Sequence, residues 1–159
     1  MAGDTPILIV DAAPSDRTAL IDLYASGHAQ AAMPEPVPLG IVEETVDANL
    51  LLSERSPADL IFLKAVINGR TAGIGLGRRG SDARYSLEII VSEAWLRQGI
   101  ARALWLVLDH RCRDQGAREV CGHVYRDNSA SIALVQRAGF TLVGEIEGGR
   151  MLEFVKALG

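Results

Sequence analysis

Residues 91–102 read Val-Ser-Glu-Ala-Trp-Leu-Arg-Gln-Gly-Ile-Ala-Arg, an apolar strand-like run passing through a turn into an apolar-periodic helix. This order of residue types suits an anion. Gly99 and Ala101 let a ligand approach the backbone, and the unpaired N–H groups about the helix start, from Arg97 to Arg102, can surround a pyrophosphate. Those groups lie at the positive end of the helix dipole, where a phosphate or pyrophosphate is stabilised. The side chains of Arg97 and Arg102 add charge. An ordinary strand-to-helix turn has the same outline, because glycine is common near helix starts, so both readings stand at this point.

A second segment, Asn128-Ser-Ala-Ser-Ile-Ala-Leu-Val-Gln-Arg-Ala-Gly-Phe140, opens on a good helix cap and closes on a good helix stop at Gly139. Gly73-x-Gly75-x-Gly77 followed by Arg78 and Arg79 looks like a nucleotide loop but precedes a hairpin and not a helix, so it gathers no cluster of free amides. His28 and His110 have no partners at ligand spacing, and no metal site is expected. Cys112 and Cys121 fall in a helix-like and a strand-like segment with no paired spacing and read as reduced core thiols.

The elements that must hold these groups follow from periodicity. A strand over 7–10 leads through Pro14-Ser15-Asp16, a capped and proline-started turn, into a helix carrying Leu20, Ile21 and Tyr24. Residues 26–40, with Pro34, Pro36 and Pro38, form a loop, and a second helix follows with Val42, Val46 and Leu50 on one face. Strand-like runs at 60–67, 71–76 and 85–91, divided by Asn68-Gly69 and by Arg79-Gly80-Ser81-Asp82, make an antiparallel meander. Ile100, Ala103, Leu104, Val107, Leu108 and Cys112 keep helical spacing up to Gly116; a strand at 120–125, a helix at 129–138 and strands at 140–144 and 151–155 complete the chain. The order β-α-α-β-β-β-α-β-α-β-β predicts a single α/β domain over 1–159, a mixed, mostly antiparallel twisted sheet with helices on both faces.

Composition sets outer bounds. With 159 residues, 48% hydrophobic and 23% charged, the chain is too apolar to be disordered and about the size of one core. A net charge of −4 offers no general attraction to nucleic acid or an anionic membrane, so an anionic ligand must be held by local groups. The first residues lack a basic segment before an apolar stretch, and no run reaches the ~20 apolar residues of a membrane span; a cytoplasmic protein is expected.

With both motifs in view, the sequence resembles the GNAT superfamily of N-acetyltransferases from about residue 61 to 155. Leu96-Arg97-Gln98-Gly99-Ile100-Ala101 is similar to the family's Gln/Arg-x-x-Gly-x-Gly/Ala pyrophosphate loop, except that Leu96 stands in the first place. The family's contacts there are largely from backbone amides, so the binding mechanism survives that change. The 128–140 segment looks like the family's Asn-x-x-Ala/Ser-Ile-x-Leu-Tyr-x-x-x-Gly-Phe helix.

The resemblance implies acetyl-CoA as cosubstrate and no metal. It implies that Ile90 and Val91 lie on a splayed strand whose backbone meets the pantetheine arm, and that Asn128, with Ser131, flanks the cofactor. A backbone N–H near Val91 is implied as oxyanion donor. Where some members carry a glutamate base five residues before the asparagine, this chain has His123, whose imidazole can take a proton from an amine. Where many have a tyrosine acid, Val135 stands and can donate nothing. Tyr125, two residues from His123 on the same strand face, is the substitute acid as against a structural tyrosine. Glu88, on the strand with Tyr85, is a reserve base as against a solvated strand residue, its facing dependent on whether that strand is bulged. His123 likewise stands against a histidine merely packed or hydrogen-bonded along its strand.

The function so implied is transfer of an acyl group to a primary amine of a small molecule or peptide, with homodimerisation through the terminal strands. Two rivals are a noncatalytic acyl-CoA sensor or partner-binding module, motivated by Val135 and His123, and a nucleotide-binding module.

Overall fold

The computed structural model describes residues 5–26, 29 and 36–158. His28, most of the proline segment and the first four residues lie outside that set. Within it run β1 (Leu8–Asp11), α1 (Arg17–Ala25), α2 (Leu39–Arg55), β2 (Leu60–Ile67), β3 (Arg70–Arg79), β4 (Arg84–Val91), α3 (Ile100–Asp114), β5 (Glu119–Tyr125), α4 (Ser129–Arg137), β6 (Thr141–Ile146) and β7 (Met151–Ala157). This is the expected order.

The strands form one seven-stranded sheet in the order β1-β2-β3-β4-β5-β7-β6. Neighbours are antiparallel except β4 and β5, which run parallel as the two ends of the α3 crossover. A parallel pair needs such a crossover, whereas β2 and β3 need only Asn68-Gly69, both at positive φ (51° and 75°) as a tight hairpin turn requires.

Each face of the sheet carries its own core. On one, α3 lays Ile100, Leu104, Leu108 and Cys112 against Ile61, Leu63, Tyr85, Leu87, Val120 and Val124. On the other, Leu20, Leu23 and Tyr24 of α1 and Val42, Val46 and Leu50 of α2 cover Leu60, Phe62, Ile74 and Leu76. Side chains alternate between the two faces along each strand, so both cores use the same strands.

The Gly73-x-Gly75-x-Gly77 stripe explains how closely α3 sits. A Cβ at Gly73 would lie 2.9 Å from the Ile90 carbonyl oxygen and 3.2 Å from Ile100 Cγ2, and one at Gly75 would lie 3.0 Å from Leu108 Cδ1. The stripe therefore seats the helix whose N-terminus carries the Gly99 turn. Across from it, Asp109 of α3, 7% exposed, holds Lys156 of β7 at 3.0 Å.

Several boundaries differ from expectation for identifiable reasons. β3 continues through Arg78 and Arg79 because the Arg78 guanidinium finds Asn49 Oδ1 on α2 at 2.7 Å, which lets the strand run on to the turn. Pro14–Asp16 is a short 3-10 turn, and the Asp16 carboxylate does not cap α1. It accepts instead from Ala13 N–H (2.8 Å) and Lys64 Nζ (2.6 Å), tying the turn to β2. Cys112 and Cys121 are buried and unpaired with each other, and burial pushes the Cys112 thiol up to about 12.

Candidate active site

The parallel strands β4 and β5 pair only at Arg84↔Glu119, Tyr85↔Val120 and Ser86↔Cys121, and then part. The gap opens into a cleft of about 1720 Å³, lined by residues of 87–102, 122–135 and 148–150. Drug-sized ligands occupy roughly 300–1,000 Å³, so this cleft suits a longer one.

Its walls are main chain. The β3–β4 register is unbroken from Gly73↔Val91 to Arg79↔Tyr85, so the strand carries no bulge. Ser92 N–H reaches the Ala72 carbonyl and Gly80 N–H the Arg84 carbonyl, each at 2.8 Å. By the alternation of antiparallel ladders, even-numbered residues of β4 bond β3, while Leu87, Ile89 and Val91 aim their N–H and C=O groups into the gap. On β5, Arg126 N–H bonds the Arg150 carbonyl and Leu158 N–H the Arg118 carbonyl, both at 2.9 Å, so even residues there face β7 and His123 presents its backbone to the gap. Two open strand edges thus face each other, each able to pair with an extended amide-bearing chain.

At the end of β4 the chain makes an anion cradle. Arg97 (φ 63°) and Gly99 (φ 80°) both adopt left-handed backbone, and the first turn bond of α3 runs from Ala103 N–H to the Gly99 carbonyl at 3.0 Å. Left-handed residues alternating with others turn successive N–H groups to one side, the geometry that concentrates positive potential for anions. A non-glycine residue held left-handed costs free energy that surrounding structure must offset. Ile100, 1% exposed, anchors the turn in the core beneath, while Arg97, Gln98, Gly99 and Arg102 are exposed around it and Ala101 is half-buried. Leu96, also exposed, lies on the cleft wall beside them.

Asn128 caps α4, its Oδ1 accepting from Ser131 N–H at 3.1 Å, and both residues line the cleft. Val135, buried in the α3-side core, also reaches the cleft and brings no donor. Trp95 and Trp105, both tryptophans of the chain, stand on the same walls.

The unbroken register settles which way Glu88 points. Tyr85 and Leu87 lie in the α3-side core, so Glu88 and Ile90 face the α1/α2 side, where Ile90 packs on that core. Tyr85 is 1% exposed with its hydroxyl donating to the Ala58 carbonyl, a structural role remote from the gap. On β5, Val120 and Val124 pack under α3, which sends His123 and Tyr125 to the same side as Glu88. Extending the Ser86↔Cys121 pairing by two residues sets Glu88 opposite His123 across the opening.

Glu88 is exposed to the water of the cleft, yet enough protein is packed around it to desolvate its carboxyl in part. That desolvation raises its carboxyl above the ordinary range, opposed by the Arg78 charge and by a hydrogen bond from the Tyr24 hydroxyl. Burial raises the Tyr24 phenol in turn, as does the Glu88 charge. Tyr125 is raised by desolvation, then by Glu147, with Arg150 opposing and Glu88 adding, so its phenol stays protonated at neutral pH. His123 Nε2 lies 3.1 Å from Glu153 Oε2 on β7.

Of the site residues expected from sequence, His123, Tyr125, Glu88, Ile90, Val91, Arg97, Gly99, Ile100, Ala101, Arg102, Asn128 and Ser131 border this one cleft, while Gln98 is exposed on the turn and does not line it. The sequence assigns no site role to Glu153, Tyr24 or Arg78, the last of these noted only beside the glycine stripe. Glu153 reads as an alternating strand residue until β7 is known to lie beside β5, and Tyr24 as one apolar-face helix residue among several. Among the described residues no group of three His, Cys, Asp or Glu side chains is placed to hold a metal, and no helix is long and apolar enough to cross a membrane.

Solved structures of the same fold cover nearly the whole chain. An N-acetyltransferase from Staphylococcus aureus Mu50 aligns with a TM-score of 0.81 at 18% identity, over 98% of this chain and 100% of its own. The PaiA N-acetyltransferase of Thermoplasma acidophilum, solved in complex with coenzyme A, gives 0.78 at 18% identity over 96% and 99%. YncA of Salmonella typhimurium, solved with its cofactor acetyl-CoA, gives 0.74 at 22% identity over 96% and 94%. No curated protein matches the sequence. Residues 18–140, which span the cradle, both lips of the gap and the Asn128 helix, match the Acetyltransferase (GNAT) family, and the chain belongs to that family.

Proposed function

We propose that the chain transfers an acetyl group from acetyl-CoA to a primary amine that enters from the α1/α2 side. The observation that carries this reading is the parting of β4 and β5 directly above the Arg97–Gly99 cradle. The residues fit the cosubstrate: free main-chain edges at Leu87, Ile89, Val91 and His123 match the amides of a pantetheine arm, and the helix N-terminus matches a pyrophosphate. Bound there, acetyl-CoA supplies the activated acyl group.

The chain's own groups supply the rest. Arg97 and Arg102 add positive charge around the cradle, and Asn128 and Ser131 flank the arm. The Val91 N–H, aimed into the gap, donates to the thioester carbonyl as its oxygen gains charge. His123 removes the proton the amine must lose, and Tyr125, with its raised phenol, returns one to the departing sulfur. Glu88 is the reserve base, and its upward-shifted carboxyl favours it as the alternative if His123 proves dispensable. Dimerisation belongs to the same proposal: β6 is an edge strand with Leu142 and Val143 exposed.

The test is coenzyme A release from acetyl-CoA across a panel of amines, repeated with His123→Ala. A general base contributes typically ~10²–10⁴-fold, so that variant is expected to lose about 100-fold or more in kcat with acetyl-CoA binding retained. A second reading, an acyl-CoA sensor without turnover, draws on Val135 in place of a proton donor. It predicts tight acetyl-CoA binding and no amine-dependent release with any acceptor.

A further inference from the structure

We infer that Glu153 is a positioning residue for His123, so that the base of this site is a histidine-carboxylate pair built across β5 and β7. The inference rests on the reading of His123 as base. His123 and Glu153 are direct cross-strand partners. The even-numbered residues of β5 hold the hydrogen bonds to β7, so 123 and 153 form a non-hydrogen-bonded pair, the arrangement that brings side chains closest. Their contact is His123 Nε2 to Glu153 Oε2 at 3.1 Å, with side-chain exposures of 32% and 25%.

The carboxylate is itself held. Its Oε1 lies 3.9 Å from Arg84 Nη1, and Arg84 is ion-paired to Glu119, four residues back along β5 from His123 on the same face. The chain Glu119, Arg84, Glu153, His123 runs along the α1/α2 face and ends at the gap. Cys121 and Tyr125 share that face of β5, and Glu88 faces His123 from β4.

The consequence is a fixed tautomer. A carboxylate accepts only, so Nε2 must carry the hydrogen, which leaves Nδ1 as the basic atom. Among the described residues Nδ1 has no hydrogen-bond partner. In the transfer, the amine proton passes to Nδ1, the nitrogen lone pair forms the bond to the acetyl carbon, and the carbon–sulfur bond breaks with its electron pair on sulfur. Glu153 touches no reacting atom; it orients the ring and fixes its tautomer, as the third group of a nucleophile-base-orienter set does.

Two readouts test this. Long-range ¹H–¹⁵N spectra resolve the chain's three histidines, with His123→Ala identifying the relevant signals. The Nε2–H tautomer is expected in the wild type and a mixture in Glu153→Gln. Steady-state kinetics with acetyl-CoA and a panel of benzylamine, putrescine and glycylalanine should show kcat about 10- to 100-fold lower in Glu153→Gln, the scale of lost orienting partners, with KM for acetyl-CoA unchanged. Glu153→Asp should recover part of the loss, and Glu153→Gln added to His123→Ala should lose nothing more.

An unchanged tautomer and kcat in Glu153→Gln overturn the inference, as does a full additive loss in the double variant. Full turnover in His123→Ala overturns it together with the base assignment and leaves acetyl transfer standing. If the wild type acetylates no amine in the panel, the proposed function fails separately, and the tautomer alone decides whether Glu153 positions the ring.

Discussion

The two faces of the cleft are built from different materials. On the α3 side, recognition is made of main chain: two open strand edges, a left-handed turn at Arg97 and Gly99, and a helix N-terminus pressed down by a glycine stripe. On the α1/α2 side it is made of side chains that meet across elements: Tyr24 with Glu88, Arg78 with Asn49, His123 with Glu153. A backbone site tolerates change in side-chain identity, as at Leu96, while a side-chain site can be rewritten by single substitutions. The first suits a constant cosubstrate and the second a variable acceptor.

Breaking the scaffold common to both sides should give the largest stability effect. Lys156→Met leaves the Asp109 carboxylate buried without its cation, with Oδ1 already lacking a partner among the described residues. A loss of about 3 kcal/mol is expected, seen as a lower chemical-denaturation midpoint at pH 7. Next comes Gly73→Ala, whose new methyl meets the Ile90 carbonyl at 2.9 Å, a backbone atom that cannot turn aside. Overpacking of this kind costs about 1–3 kcal/mol. Because Ile100 is a further neighbour, at 3.2 Å, coenzyme A affinity measured by calorimetry should fall in the same variant, whereas Lys156→Met should leave it nearly intact. If the two variants affect affinity equally, the separation between scaffold and cradle fails.

The smallest effect sharpens the acceptor side. The folded protein holds the Glu88 carboxyl above its unfolded value, mainly through desolvation, so ionising it works against folding. That cost is absent below the unfolded carboxyl range near ~4.3 and is complete once the pH has risen past the folded value. Glu88→Gln should therefore raise the melting temperature at pH 7, by no more than about a degree because water reaching the exposed carboxyl screens the effect, with the gain disappearing at pH 4 and below. An equal gain at both pH values would place Glu88 in ordinary solvent.

How much of this could be read in the sequence follows the same division. The order of elements, the long α3 and the Gly99 turn all depend on neighbours in the chain, and periodicity and glycine placement carry them. Asn128 is legible for the same reason, since a cap acts on residues three positions away. The glycine stripe was visible, but its purpose was not, because it depends on which helix lands on β3. Glu153 was invisible for a stronger reason: β7 lies between β5 and β6, and only that insertion brings residue 153 beside residue 123. Whether Glu88 faced the α1/α2 side also needed the unbroken β3–β4 register.

The central claim is that the turn at Gly99 holds acetyl-CoA. Trp95 and Trp105 are the only tryptophans and both line the cleft, so intrinsic fluorescence titrated with acetyl-CoA reports on it directly. Saturable quenching is expected in the wild type, weakened at least about tenfold in Gly99→Val, where a branched side chain opposes φ of 80°. Folded protein that gives no saturable change with acetyl-CoA, or a Gly99→Val variant that binds it as tightly as the wild type, would contradict the account.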